Sequence, residues 1–313
     1  MGDKKIKLFL FTGFLGAGKT TLVKNLLEGL EDKKVGLIVN EFGKIGVDGQ
    51  VVQKEGMEVV EINNGSIFCT CLEGSFIEKV VGFSKLPIEY LFVEASGLSD
   101  PSNMESILNQ VQRITGAAFS FEGSFCVVDA KNFMKLHQSL NTFDRQLNYS
   151  NMIIINKIDL VEQETIDKIG GLINTINPMA GVIKTTYCQV DEDIFTKNEK
   201  VFGFPAFKVS NNCPSSRPEI VVLSTQEKAS KDSVTAFARV MAQHTFRVKG
   251  FVQLEEGMYH LDCVEEQIDM RPTHLSRETT EIVLISKEEQ GLMEKTQSVW
   301  DDLVGISSKI ESE

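Results

Sequence analysis

The stretch Gly13-Phe14-Leu15-Gly16-Ala17-Gly18-Lys19-Thr20-Thr21 constrains this chain more than any other. It satisfies the phosphate-binding pattern G-x-x-x-x-G-K-[ST] at every required position. Its flanks agree with it. Lys7 to Thr12 (KLFLFT) is a short apolar, β-leaning run, and Thr21 to Leu30 (TLVKNLLEGL) carries apolar residues at helical spacing. A strand, a glycine loop and a helix therefore follow one another in the order that phosphate binding needs. Gly13, Gly16, Ala17 and Gly18 let successive N–H groups turn inward around an anion, and the helix adds its positive end. Lys19 reaches toward β- and γ-phosphates, and the Thr20 hydroxyl, followed by Thr21, can take a place on Mg²⁺.

Further along, strand candidates keep ending in polar residues. Val35 to Phe42 (VGLIVNEF) is a buried strand closed by Asn40-Glu41-Phe42-Gly43. Glu41 is placed to meet Mg²⁺ or its waters, or is a solvated strand-end acid. Ile88 to Ala95 (IEYLFVEA) ends in Glu94-Ala95-Ser96-Gly97. There the carboxylate can hold Mg²⁺ through water, and Gly97 can offer its N–H to a γ-phosphate. Met152 to Ile155 runs into Asn156-Lys157-Ile158-Asp159, an N-K-x-D pattern. The Asp159 carboxylate can accept from N1–H and the exocyclic amine of guanine, donors that adenine lacks in that arrangement. The expected ligands are therefore GTP and GDP with Mg²⁺, and the expected catalytic set is Lys19, Glu41, Glu94 and Gly97.

Between these strands, Leu72 to Ser84, Ser102 to Arg113, Asn132 to Tyr149 and Glu162 to Ile176 read as helices. Met57 to Ile62, Ser124 to Ala130 and Gly181 to Tyr187 read as further strands. Alternation of this kind builds an α/β domain on a mainly parallel sheet, with its ligand at the carboxyl ends of the strands. Val209 to Pro218 (VSNNCPSSRP) breaks the pattern as a linker, giving residues 1–208 and 219–313 as domains. The second reads as a small α+β domain. Its strands are Ile220 to Ser224, Thr245 to Leu254, Met258 to Ile268 and Glu281 to Ile285, and its helices Ser230 to His244 and Glu288 to Val304. It carries no catalytic motif, and His244, His260 and His274 read as surface or core residues rather than ligands.

Two cysteines, Cys69 and Cys71, follow the turn Asn63-Asn64-Gly65. A C-x-C pair can begin a soft-metal site, but tetrahedral closure needs further ligands, and two unliganded thiols fit equally well. A net charge of −12, from 44 acidic and 32 basic residues, argues against nucleic acid as a partner. No apolar run approaches the roughly 18–20 residues that span a bilayer. The scattered cysteines do not form a secreted disulfide framework, so a reducing cytoplasm is expected.

The ordered set GFLGAGKTT, NEFGKIGVD, EINNGSIFC, VEASGLSDP, CVVDA and NKIDL resembles the CobW-type GTPases, relatives of the nickel-insertion GTPases of hydrogenase and urease maturation. RVKGFVQLEEG, at Arg247 to Gly257, resembles paired strands of that family's C-terminal domain. The resemblance implies slow, Mg²⁺-dependent GTP hydrolysis coupled to delivery of a metal or metallocofactor to a client. By position it carries the phosphate loop onto Gly13 to Thr21, the switch acids onto Glu41 and Glu94, and guanine reading onto Asn156, Lys157 and Asp159.

The chain departs from the family at its metal motif, C-x-C-C after Asn-Gly. Here Ser66-Ile67-Phe68-Cys69 retains the last of three cysteines, and Lys44 stands where many relatives carry an acid. Three readings follow. One is a metallochaperone holding Zn²⁺, Co²⁺ or Ni²⁺ at Cys69, Cys71 and Glu41. The second is a GTP-switched adaptor or activator, without direct metal binding, for a metalloenzyme or corrinoid (cobalamin) protein client. The third, a binding module with a dead GTPase, is opposed by the intact Lys19, Thr20 and Glu94. A nucleotide-dependent homodimer is a further expectation.

Overall fold

The structure, a computed structural model, describes residues 5–30, 32–40, 58–62, 67, 73–139, 141–190, 219–264, 267–273, 279–287 and 291–312. The chain divides into two compact units, and among the described residues these are 5–190 and 219–312. The expected linker, 209–218, lies outside the described residues.

The first unit opens with β1 (Ile6–Thr12), α1 (Lys19–Gly29), β2 (Val35–Asn40) and β3 (Glu58–Ile62). It continues through α2 (Glu73–Phe83), β4 (Tyr90–Glu94), a 3₁₀ turn at Pro101–Asn103, α3 (Met104–Thr115) and β5 (Phe119–Asp129). Then come α4 (Phe133–Ser139), α5 (Asn141–Asn148), β6 (Met152–Asn156), a 3₁₀ turn at Ile158–Leu160, α6 (Gln163–Ile176) and β7 (Gly181–Lys184). The seven strands form one sheet in the order β3-β2-β4-β1-β5-β6-β7, with every pairing parallel.

A parallel sheet covered on both faces needs strands apolar on both faces, and β1 meets that demand. Phe9 and Phe11 pack with Leu22, Val23, Leu26 and Leu27 of α1. Ile6, Leu8 and Leu10 pack on the opposite face with Phe76 and Val80 of α2 and Met104, Ile107 and Val111 of α3. β1 lies centrally, between β4 and β5, so the loop leaving it opens where the strand order reverses, the usual place for a ligand. Register brings the other polar ends level with it: Phe11 pairs with Glu94, Val39 with Glu94, and Asp129 with Asn156.

β5 begins at Phe119, ahead of the expected Ser124. Phe121 pairs with Leu8 and Gly123 with Phe9, so Glu122 sits in a bulge and the strand runs through it.

The second unit contains β8 (Ile220–Thr225), α7 (Lys231–Met241), β9 (Thr245–Leu254), β10 (Gly257–Val264) and β11 (Gln267–Pro272). It closes with β12 (Thr280–Ser286), α8 (Leu292–Leu303) and β13 (Lys309–Ser312). Its antiparallel sheet, β11-β10-β9-β12-β8-β13, packs Val248, Val252, Leu261 and Leu284 against Phe237 and Trp300 of the two helices. Ser230 caps α7 by accepting from Ser233 N–H at 3.1 Å. A turn at Glu255-Glu256 joins β9 to β10. The expected single strand Met258 to Ile268 is instead two, β10 and β11, paired antiparallel with Val264 opposite Gln267; the alternating pattern continues from one into the other and conceals the reversal. β13 is too short and too charged to announce itself, and it pairs at the sheet edge with β8.

Candidate nucleotide site

The loop after β1 is built around positions that reject a side chain. Gly13 has φ 127° and Gly18 φ 115°. A Cβ on Gly13 would lie 2.1 Å from the Val127 carbonyl oxygen, and one on Gly18 would lie 2.6 Å from Asn156 Nδ2. Gly16 is also left-handed, at φ 70°. Gly18 is the N-cap of α1, no side chain caps that end, and its first turn holds no acid. Its N–H groups and positive end therefore remain available to an anion. The Lys19 ammonium, on a buried side chain, donates to the carbonyls of Gly13 at 2.9 Å and Phe14 at 3.1 Å. Ala17 is buried within the loop, and Thr21 is exposed on the first turn of α1.

Thr20 and Glu94 meet. The Thr20 hydroxyl donates to Glu94 Oε1 at 2.7 Å, joining the phosphate loop to the tip of β4. Both supply hard oxygens, the donor type that Mg²⁺ takes. Gly97, three residues on, sits so close that a Cβ there would lie 2.6 Å from Leu15 N.

The loop after β4 is held from behind by α5. Gln146, fully buried, donates to the carbonyls of Gly97 at 3.1 Å and Ser99 at 2.9 Å. Its neighbour Arg145 pairs with buried Asp100 at 2.8 Å, and Asp100 also accepts from Ser102 N–H. From the other side, buried Asn40 accepts from Ser96 N–H at 3.3 Å and Ile67 N–H at 3.1 Å, and donates to the Ile62 carbonyl at 3.0 Å.

Asn156 faces the phosphate loop. Its amide donates to the Ala17 carbonyl at 2.9 Å and accepts from Cys188 N–H at 2.9 Å. Lys157 adopts φ 61°, and its ammonium is bound to buried Asp129 at 2.7 Å. Asp129 also accepts from Lys131 N–H and the Asn132 amide. The lysine's charge is thus engaged by protein, which leaves its aliphatic stem as the part able to line a base site. Asp159 lies exposed in the 3₁₀ turn after β6.

The sequence reading carried β7 on to Tyr187, whereas the strand ends at Lys184 and the residues after it turn. Tyr187 and Cys188 both take φ 52°, without being glycine. Asn25 of α1 donates to the carbonyls of Tyr187 at 2.9 Å and Cys188 at 3.0 Å, and Thr185 Oγ1 donates to the Gln189 carbonyl at 2.6 Å. The Cys188 thiol lies 3.3 Å from the Gly18 carbonyl, and burial pushes it up to about 12. Burial also pushes Cys126, beneath the phosphate loop, up to about 12, against the lowering influence of Thr12, Lys19 and Ser150. No motif marks Asn25 or this segment. Asp129 and Asn40 do stand inside quoted motifs, CVVDA and NEFG.

Glu41, Lys44, Cys69 and Cys71 lie outside the described residues. Among the described residues no three His, Cys, Asp or Glu side chains cluster to hold a metal ion, and no helix is long and apolar enough to cross a membrane.

Residues 7–184 match the CobW/HypB/UreG nucleotide-binding domain. The chain is 27% identical over 230 residues to a zinc-regulated GTPase metalloprotein activator 1 of Dictyostelium discoideum, covering 59% of this chain and 46% of that protein. It is 31% identical over 188 residues to a zinc chaperone CobW of Sinorhizobium sp, covering 50% of this chain and 52% of that one. The chain thus spans about half the length of these two relatives. Superposition on the Zn(II)-bound YjiA GTPase of E. coli gives a TM-score of 0.49 at 20% identity, covering 96% of this chain and 99% of that one.

Proposed function

Because the chain belongs to the CobW/HypB/UreG nucleotide-binding family, we propose that it binds GTP with Mg²⁺ and hydrolyses it slowly. The cycle drives delivery of a metal or metallocofactor, cobalamin-related cargo included, to a client protein in the cytoplasm. The observation that carries this reading is the 2.7 Å contact between Thr20 and Glu94, 74 residues apart in sequence and adjacent at the mouth of the phosphate loop.

Each residue then has a task. Backbone N–H groups from Gly13 to Lys19 hold the phosphates, and Lys19 leaves its loop carbonyls to meet their charge. Thr20 and Glu94, with Glu41, would hold Mg²⁺, which when bound offsets the charge of the phosphate oxygens. Gly97 offers its N–H to the γ-phosphate, with Gln146 and Asn40 setting the loop's position. Asn156 joins phosphate loop to base site, Lys157 lines the latter with its stem, and Asp159 reads guanine.

The names of the relatives, zinc chaperone and zinc-regulated activator, favour a metal as cargo. A second reading is favoured by Ser66 and Phe68, which stand where the family supplies thiolates. On it the GTP switch acts as an adaptor for a metalloenzyme or corrinoid protein without holding metal itself, as a monomer or a nucleotide-dependent homodimer. Metal content of untagged protein separates the two.

Nucleotide affinity and turnover test the shared part. GTP and GDP should bind at least about tenfold more tightly than ATP and ADP, a gap of about 1.4 kcal/mol. Asp159→Asn should narrow that gap and gain affinity for xanthine nucleotides. Equal affinity for ATP and GTP in the unmutated protein would end the guanine reading.

A further inference from the structure

Two consecutive non-glycine residues in the left-handed region are strained, and such strain persists only where neighbours over-determine it. Tyr187 and Cys188 are such a pair, and the peptide plane between them is pinned at both edges. Its carbonyl, on Tyr187, accepts from Asn25 at 2.9 Å, and its N–H, on Cys188, donates to Asn156 at 2.9 Å. The next carbonyl, on Cys188, accepts from the same Asn25 amide at 3.0 Å. Asn25 thus sits at one end of a chain of contacts that runs through this plane to Asn156, and from there along the backbone to Lys157 and Asp159.

The helix that supplies Asn25 is the one whose first turn supplies Lys19 and Thr20, about one and a half turns earlier. One rigid element therefore serves the phosphate end and, through its flank, the base end. A role confined to stability accounts poorly for this arrangement. Asn25 is only half-buried, and the Tyr187 carbonyl it binds is open to water, which could satisfy that oxygen if the side chain were lost.

We propose that Asn25 is a positioning residue for base selectivity: it holds the Tyr187–Cys188 peptide so that Asn156, and with it Lys157 and Asp159, is set for guanine. This rests on the guanine reading proposed above. Without the Asn25 amide, the strained pair relaxes and Asn156 loses one side of its support. The base site then loosens while the phosphate loop keeps the close packing of Gly13 on Val127 and of Leu15 on Gly97, which Asn25 does not reach.

Calorimetric affinities of the full chain for GDP, IDP, ADP and inorganic tripolyphosphate test this. Asn25→Ala should lower the GDP-over-ADP preference about tenfold and leave tripolyphosphate affinity within about twofold. Asn25→Asp, which keeps the shape but turns an acceptor toward two carbonyls, should lower the preference at least as far. IDP, lacking the exocyclic amine, should change less than GDP in both variants. A preference retained in both variants would overturn the proposal. So would a parallel loss of GDP and tripolyphosphate affinity, the mark of general destabilisation. A wild-type protein that does not discriminate between GDP and ADP would bring down the guanine reading itself, before any variant is made.

Discussion

Replacing Asn156 separates its two bonds. The side chain is 3% exposed, donates to the Ala17 carbonyl and accepts from Cys188 N–H, each at 2.9 Å. Asn156→Ala strands both backbone groups. A buried group left without its partner costs about 1–3 kcal/mol, so the variant should lose roughly 2–6 kcal/mol, less where water reaches the vacated space. Asn156→Asp retains the acceptor for Cys188 but sets a second oxygen against Ala17. At neutral pH that carboxylate is buried beside a carbonyl, and the loss should match or exceed that of the alanine variant.

Protonation supplies the missing donor, so the fold holds the introduced carboxyl's pKa above its unfolded value of about 4. A carboxyl shifted upward is protonated in the fold where the unfolded chain has already released its proton. Stability therefore falls as pH rises above about 4, and the aspartate variant's deficit should be smaller at pH 5 than at pH 8. Urea unfolding followed by far-ultraviolet circular dichroism reads these losses. Trp300, the only tryptophan in the chain, lies in the second unit, and its fluorescence serves as an internal reference. A loss below about 0.5 kcal/mol in the alanine variant, within the range of ordinary surface substitutions, would refute the account of Asn156 as a structural tie. So would an aspartate deficit independent of pH.

Lys19→Ala should abolish GTP hydrolysis, and Glu94→Ala should weaken the Mg²⁺ dependence of turnover more than it weakens nucleotide affinity. Normal turnover in both would move the site elsewhere. Zn²⁺ affinity should be well below that of relatives with the full thiolate motif. It should change little in a Cys69→Ser/Cys71→Ser protein that still hydrolyses GTP, because a tight site needs about four ligands. Stoichiometric zinc lost with those cysteines would restore the metallochaperone reading. Cys126 and Cys188, pushed up by burial to about 12 from an ordinary 9.0, should resist alkylation at pH 8 until the chain unfolds, as read by mass spectrometry. Between those values the unfolded chain releases protons that the folded one keeps, so stability should fall as pH rises from about 9 toward 12.

Much of this arrangement is legible in the sequence because its chemistry is local. Gly13 to Thr21 must be contiguous to wrap an anion, and Glu94 and Asn156 announce themselves at the ends of apolar strands. What stayed hidden depends on distance. Asn25 is an ordinary polar residue on a helix, and its partners lie 162 and 163 residues away. Lys157 reads as a base contact in its motif, yet where its charge goes depends on Asp129, 28 residues upstream. Gln146 and Arg145 look like the polar side of an amphipathic helix until the loop after β4 is laid against them. In the second unit, β11 escaped because its residues continue the alternation of β10, and periodicity alone cannot mark a reversal of direction.

Asn40 bears on how such a chain can diverge. Its one side chain fastens the last carbonyl of β3, the N–H of Ile67 and the N–H of Ser96. Ile62 and Ile67 are therefore both tied through backbone groups to one residue well upstream of them. Ser66 and Phe68 flank Ile67 in sequence, so thiolates can give way to a serine and a phenylalanine around that tie while the backbone N–H that Asn40 holds is unchanged. A lineage could thus discard or rebuild a metal-handling stretch in few mutational steps while its nucleotide machinery is inherited intact. In such a lineage, Asn40 should tolerate replacement far less readily than the residues it moors.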